Sequence, residues 1–148
     1  MVEFTEEYKA RTAAGANVAE RACEEYLSGR KDISYYKLGF DETNNNISEF
    51  YKVPKVFRGI PDFLVISDKA YLLECKGFKH KLKLKLDDMQ AYNFWNNITK
   101  LYVFIYSTMD KRHKIIEYDK LCDIAYTCKM NYYQDNGKGY YEIDWRLI

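Results

Sequence analysis

Residues 58–76, RGIPDFLVISDKAYLLECK, decide how the rest of the chain is read. Phe63, Leu64, Val65 and Ile66 form a short apolar, β-prone run, and Ser67-Asp68-Lys69 is a turn. The run 70–76 is again β-type, so the pattern predicts an antiparallel hairpin. Such a hairpin brings the start of its first strand beside the end of its second. The hydrophilic residues lie at those two places: Asp62 ahead of the first strand, Glu74 and Lys76 closing the second. Side chains alternate faces along a strand, so Glu74 and Lys76 share a face and Cys75 takes the other. Two acids and a lysine are therefore expected together at a solvated strand end.

That cluster needs a counter-charge. Two ionised carboxylates about 4 Å apart repel by roughly 4 kcal/mol at an effective dielectric near 20. Either one protonates or a cation sits between them. Hard oxygen ligands suit Mg²⁺ or Mn²⁺, which take a couple of carboxylates and leave water positions open. Water on such an ion loses its proton more easily, and a nearby ammonium orients it or neutralises a phosphate. This is equipment for hydrolysing a phosphodiester. The competing reading is an ordinary surface hairpin with a solvated Glu-Lys pair, since an E-x-K triplet alone is common. Pro61-Asp62 opening the preceding strand weighs against it.

Gly59-Ile60-Pro61-Asp62 followed by Glu74-Cys75-Lys76 resembles the PD-(D/E)XK nuclease superfamily, whose proline and three polar positions are all present. The resemblance implies a restriction-endonuclease-like α/β/α sandwich, a mixed central sheet flanked by helices. It implies a Mg²⁺-dependent DNA endonuclease, with Mn²⁺ able to substitute. Asp62, Glu74 and the backbone carbonyl of Cys75 would hold the metal, and Lys76 would orient the attacking water or stabilise the developing charge. In similar nucleases the first helix adds a glutamate. Resolvase-like members place it seven residues before a core leucine, as Glu20 stands to Leu27, with Glu24 the second choice. A glutamine after the E-x-K strand often faces the metal site, which points to Gln90. The small size resembles Holliday junction resolvases, which work as homodimers and read junction shape. A homing or restriction-like endonuclease of the same fold, reading sequence, is the alternative. A nucleic-acid-binding protein that kept the fold and lost the chemistry is a third reading, against which the intact motif argues.

Length and composition set the bounds. At 148 residues the chain is expected to be one domain with a real core. No run approaches the length of a membrane span or of a signal peptide's apolar region, so no membrane partner is expected. Cys23, Cys75, Cys122 and Cys128 lack zinc-type spacing and read as buried thiols in a reducing cytoplasm, the last two on one helix. The net charge of +1 gives no global pull on nucleic acid, so any DNA contact must be local. Fifteen tyrosines and eight phenylalanines serve a core, or stack on bases.

Working outward, residues 4–28 read as a helix broken near Gly15, with Val18, Ala19, Ala22, Cys23, Tyr26 and Leu27 as its apolar stripe and Gly29 as its stop. Residues 33–40 read as a strand, 41–48 as a polar loop, and 50–57 as an edge strand or irregular arm interrupted by Pro54. Gly59 is expected to permit a tight turn, and Arg58 to be exposed or to meet a phosphate. After the motif, residues 79–86 alternate strictly: Lys81, Lys83 and Lys85 on one face, Leu82, Leu84 and Leu86 on the other. Such a row blunts a free sheet edge; directly after the E-x-K site it also makes a rim for DNA phosphates, together with Arg58 and Lys79. Asp87 and Asp88 read as N-cap and first-turn acid of a helix ending near Asn97. Residues 101–107 read as a central strand, 115–118 as a strand, 119–130 as a helix capped by Asp119, 136–139 as a turn and 140–145 as a strand. No nucleotide-binding glycine loop is present, and His80 and His113 have no recognisable catalytic partners.

Overall fold

The β2–β3 hairpin forms where alternation and turn chemistry place it. β2 (Phe63–Ile66) and β3 (Ala70–Phe78) pair antiparallel, with Phe63 opposite Leu73 and Ile66 opposite Ala70. The Ser67 N–H closes the turn on the Lys69 carbonyl at 2.9 Å. The computed structural model describes residues 16–39 and 51–148. The predicted helix before residue 16, the end of the predicted strand at Phe40 and the 41–48 loop lie outside the described residues.

β1 (Ser34–Lys37) adds antiparallel to β2, and the ladder continues one step as the Leu38 N–H donates to the Asp62 carbonyl at 2.8 Å. On the other side β5 (Leu101–Ser107) runs parallel to β3, and β6 (Arg112–Glu117) returns antiparallel to β5. The result is a mixed five-stranded sheet in the order β1-β2-β3-β5-β6. A parallel neighbour requires a crossover. Here it is supplied by β4 (Leu82–Lys85) and the helix that follows it, Leu86–Ile98. β4 heads a second, antiparallel sheet, β4-β8-β7, with β7 at Met130–Tyr132 and β8 at Gly139–Ile143. A short 3₁₀ turn, Trp145–Leu147, ends the chain.

Alternation gives the main sheet two apolar faces. α1 (Ala16–Ser28) lays Ala19, Cys23 and Leu27 against Phe63, Val65, Leu73, Cys75 and Phe104. On the opposite face Leu72, Leu101, Val103 and Ile105 meet Met89 and Tyr92 of α3 (Leu86–Ile98) and Leu121 of α4 (Tyr118–Ala125). Leu82, Leu84 and Ile143 of the small sheet close this larger core. The chain is thus mixed α/β, with helices on both faces of a mixed sheet. Among the described residues no helix is long and apolar enough to cross a membrane.

Several local expectations are corrected. Of the predicted 50–57 arm, the described part from 51 on is not extended: Tyr51 and Lys52 are helical, and Lys55–Arg58 forms one helical turn, α2. Pro54 starts that turn from the N-cap position at φ −53°, ψ 142°, where its missing N–H costs nothing. Gly59 has an ordinary backbone, φ −92°, ψ 17°. What it permits is close approach, because a Cβ there would lie 2.5 Å from that of Ala91. α2 is thereby seated on α3, with the Trp95 Nε1–H donating to the Val56 carbonyl at 3.0 Å. β4 ends at Lys85, and Leu86 already belongs to α3, so Leu86 leaves the leucine row. Asp87 and Asp88 both sit in the first turn of α3, whose N-cap residue is Lys85. Asp119 likewise sits in a first turn, behind the N-cap Glu117. β6 is longer than expected and α4 shorter, and the residues beyond α4 supply the unforeseen β7. Cys122 and Cys128 are therefore not on one helix; all four thiols are free.

Candidate active site

Extending the hairpin register one step past the Phe63–Leu73 pair sets Asp62 opposite Glu74. Cross-strand partners point to the same face, and Lys76 follows on that face two residues on. The Cys75 N–H donates to Asp62 Oδ2 at 2.8 Å and fixes that carboxyl. Glu74 is not at a solvated strand end: it is only 8 % exposed, beneath α3.

Glu20 reaches the same point from α1. It lines the same cleft as Asp62 and Glu74, and the charges of the three carboxyls act on one another in series, Asp62 on Glu20 and Glu74 on Asp62. Glu24 lies one turn on, exposed, in a separate surface hollow with Arg21 and Ser28. Burial, then the charge of Asp62, pushes the Glu20 carboxyl up to about 7, against the pull of Lys37. The Lys37 ammonium stands 3.6 Å from Glu20 Oε2. Asp62 is raised well above the usual carboxylate range, by burial first and then by Glu74, with the Cys75 N–H opposing. Burial and mutual repulsion thus favour the protonated forms of Glu20 and Asp62 when no cation is present.

Lys76 does not face these acids alone. Its Nζ donates to Asp88 Oδ2 at 2.9 Å and lies 5.3 Å from the centre of the Tyr92 ring. Burial opposes its charge, but Asp88 and Glu74 outweigh burial and hold the ammonium above the ordinary lysine range. Asp88 is held low by Lys76 in spite of its own burial. Tyr92 is buried beside Lys76, and burial together with the nearby Glu74 charge pushes its phenol well above the ordinary range. Asp88 and Tyr92 are four residues apart and so share one face of α3. The sequence does not single out either as a site residue: Asp88 reads as a first-turn acid of the helix, which it is, and its contact with Lys76 depends on the fold. The i, i+4 spacing beside a buried tyrosine was the available signal.

These groups floor a cleft of about 950 Å³. α2 forms one wall, with Lys55 and Arg58, and the first turns of α3 form the other, with Asp87, Asp88 and an exposed Gln90. Lys138, from the turn before β8, reaches the rim and bonds Asp87 at 2.8 Å. The structure therefore brings Asp62, Glu74, Lys76 and Glu20 together, with Gln90 and Arg58 on the walls. Lys79 is exposed beyond them, and Lys81, Lys83 and Lys85 project from the small sheet, outside the cleft lining. The Cys75 thiol turns to α1, where a hydrogen bond with Cys23 and burial push it far up. His80 is exposed, and His113 stacks on Phe104 with centroids 4.6 Å apart, away from the site.

The donor set suits a hard divalent cation: three carboxyls meet on the cleft floor, and the raised Glu20 and Asp62 would exchange protons for the ion. Among the described residues no group of three His, Cys, Asp or Glu side chains stands gathered as a preformed metal cage. The chain matches no protein-family model, and no curated sequence matches it.

Proposed function

We propose that this chain is a divalent-metal-dependent endonuclease that hydrolyses phosphodiester bonds of DNA in the cleft. One observation carries the reading: Glu20, Asp62 and Glu74 meet on the floor of one cleft, with Lys76, held by Asp88 at 2.9 Å, beside them. Glu20, Asp62 and Glu74, with the Cys75 carbonyl, would hold Mg²⁺ or Mn²⁺, which supplies a more acidic water and a counter-charge for the phosphate.

The remaining work falls to the chain's own groups. Asp88 and the Tyr92 ring hold the Lys76 ammonium in one place and in one charge state. It can then bond a phosphate oxygen or the attacking water without first ordering a flexible side chain. The Cys75 N–H fixes the Asp62 carboxyl. Lys37 offsets the charge on Glu20. Lys55, Arg58 and Lys138 bring positive charge to the cleft walls, where a phosphate would compete with Asp87 for Lys55 and Lys138. Within this class we favour a structure-selective, Holliday junction resolvase-like enzyme acting as a homodimer, one site for each strand cut.

The test is to incubate the protein with labelled duplex, single-stranded, forked and four-way-junction DNA, in Mg²⁺ and in chelator. Metal-dependent cutting, strongest on the junction and lost in Glu74→Gln, is expected. Cutting that persists in chelator or in Glu74→Gln would refute the site. Equal cutting of junction and duplex would refute the junction preference alone.

A further inference from the structure

β4 carries its lysines outward, and the register shows what surrounds them. Lys83 lies opposite Glu142, Lys85 opposite Tyr140, and Tyr140 opposite Asn131, so these side chains share the outer face of the small sheet. The three lysines are not equivalent. Lys81 is tied to Glu142 at 3.5 Å, diagonally across the pair. Lys83 rests instead over two tyrosines, its Nζ 5.4 Å from the centre of the Tyr133 ring and 5.2 Å from that of Tyr140. The two rings pack at 4.3 Å, and Lys85 also approaches Tyr133, at 5.7 Å.

A ring face holds an ammonium in place without neutralising it, since its attraction comes from a quadrupole and not from a full charge. Lys83 is therefore ordered and still able to answer an anion, so it loses less side-chain freedom on binding than an unsupported lysine does. Lys81 has a carboxylate already. The row also leads somewhere: β4 runs straight into α3, whose second and third residues are the cleft-wall acids Asp87 and Asp88. Tyr133 is tied to the rim as well, its N–H bonding the carbonyl of Lys138, whose ammonium holds Asp87. Same-face residues on a strand recur every ~6.8 Å, about two nucleotide steps of B-form DNA.

We infer that the outer face of the β4-β8-β7 sheet is a second contact surface for the phosphate backbone of duplex DNA, with the tyrosine-held Lys83 as its main contact and Glu142 as a brake on Lys81. The inference rests on the nuclease reading for its partner, but it concerns binding outside the cleft floor. It sequesters one stretch of backbone next to the site and reads no base, since phosphate contacts position a protein without carrying sequence information.

Binding of a fluorescein-labelled duplex, followed by anisotropy across a salt series in chelator, tests it without reading cleavage. Each contacted phosphate contributes a log-log salt slope of about −0.9. Lys83→Gln is expected to flatten the slope by about one unit, and Lys81→Gln by clearly less. Glu142→Gln releases Lys81 and should tighten binding and steepen the slope. Tyr140→Leu should weaken binding at unchanged charge, whereas Tyr140→Phe, which keeps a ring, should not. The inference is overturned if Lys83→Gln leaves the slope unchanged, if Lys81→Gln and Lys83→Gln act alike, or if Glu142→Gln has no effect. A chain that binds in this lysine-dependent way but never cuts would refute the nuclease reading and leave the surface standing.

Discussion

Lys76 and Lys83 present the same ammonium in two regions and do opposite things with it. On the cleft floor, Lys76 is half-buried and locked to a carboxylate at 2.9 Å, beside acids that repel one another. On the small sheet, Lys83 is exposed and held only by rings. Charge in a desolvated network is sensitive to every neighbour, since removing one member strands another. Charge on an exposed face is screened by salt and acts almost independently of its neighbours. Changes on the floor should therefore alter chemistry and stability together, while changes on the face should alter only binding and its salt dependence.

The largest effect expected from that contrast is on turnover. Lys76→Ala should lower the single-turnover cleavage rate by about 10³-fold or more, whereas Lys83→Ala should leave it near wild type at saturating DNA. Equal losses in the two variants would erase the distinction.

Next in size is a stability coupling. Lys76→Ala leaves Asp88 without its partner in a half-buried place, so denaturant melts should show a loss of about 2–3 kcal/mol. The double variant Lys76→Ala/Asp88→Ala should recover part of it. Additive losses would mean that the 2.9 Å contact carries no coupling.

Gly59→Ala probes the cleft wall. Its new Cβ would meet that of Ala91 at 2.5 Å, and the two helices must part. A loss of about 1–3 kcal/mol is expected from overpacking, with partial rescue by Ala91→Gly. An unchanged melting temperature would show that α2 is not seated on α3 as described.

A smaller effect is the pH dependence of the metal-free protein. The folded Glu20 carboxyl titrates near 7 against an ordinary value of 4.5, and Asp62 is shifted in the same direction. The folded state therefore holds protons that the unfolded chain has released. That stability is complete below about 4.5 and is lost as pH rises through about 7. Discounted for partial exposure, the Glu20 share is about 1–2 kcal/mol. Melts in chelator should show stability falling across this window, and Glu20→Gln should flatten the fall. A rise with pH in the same window would contradict the raised carboxyls.

What could be read from the sequence was what local rules determine. The apolar runs at 63–66 and 70–76 and the turn between them specify a hairpin, and its register alone brings Asp62 opposite Glu74. The β4 alternation was equally local, but its partner β8 lies far along the chain, so the small sheet and the tyrosines under Lys83 could not be foreseen. The role of Asp88 at the site was not legible because a first-turn acid next to Asp87 satisfies a helix start by itself. Only the fold places it on Lys76. Pro54 misled for a related reason: a proline that breaks a strand also opens a helix, and Trp95, 41 residues beyond it, decides which.

The central claim is that the three acids together bind a divalent cation, with Glu20 and Asp62 giving up protons to it, and calorimetric titration with Mn²⁺ near pH 6.5 tests it most directly. Repeating the titration in buffers of different ionisation enthalpy counts the protons released. The account predicts release of about one proton or more for each ion bound, with both the binding and the release lost in Asp62→Asn. Binding without proton release, or binding that Asp62→Asn leaves intact, would contradict it.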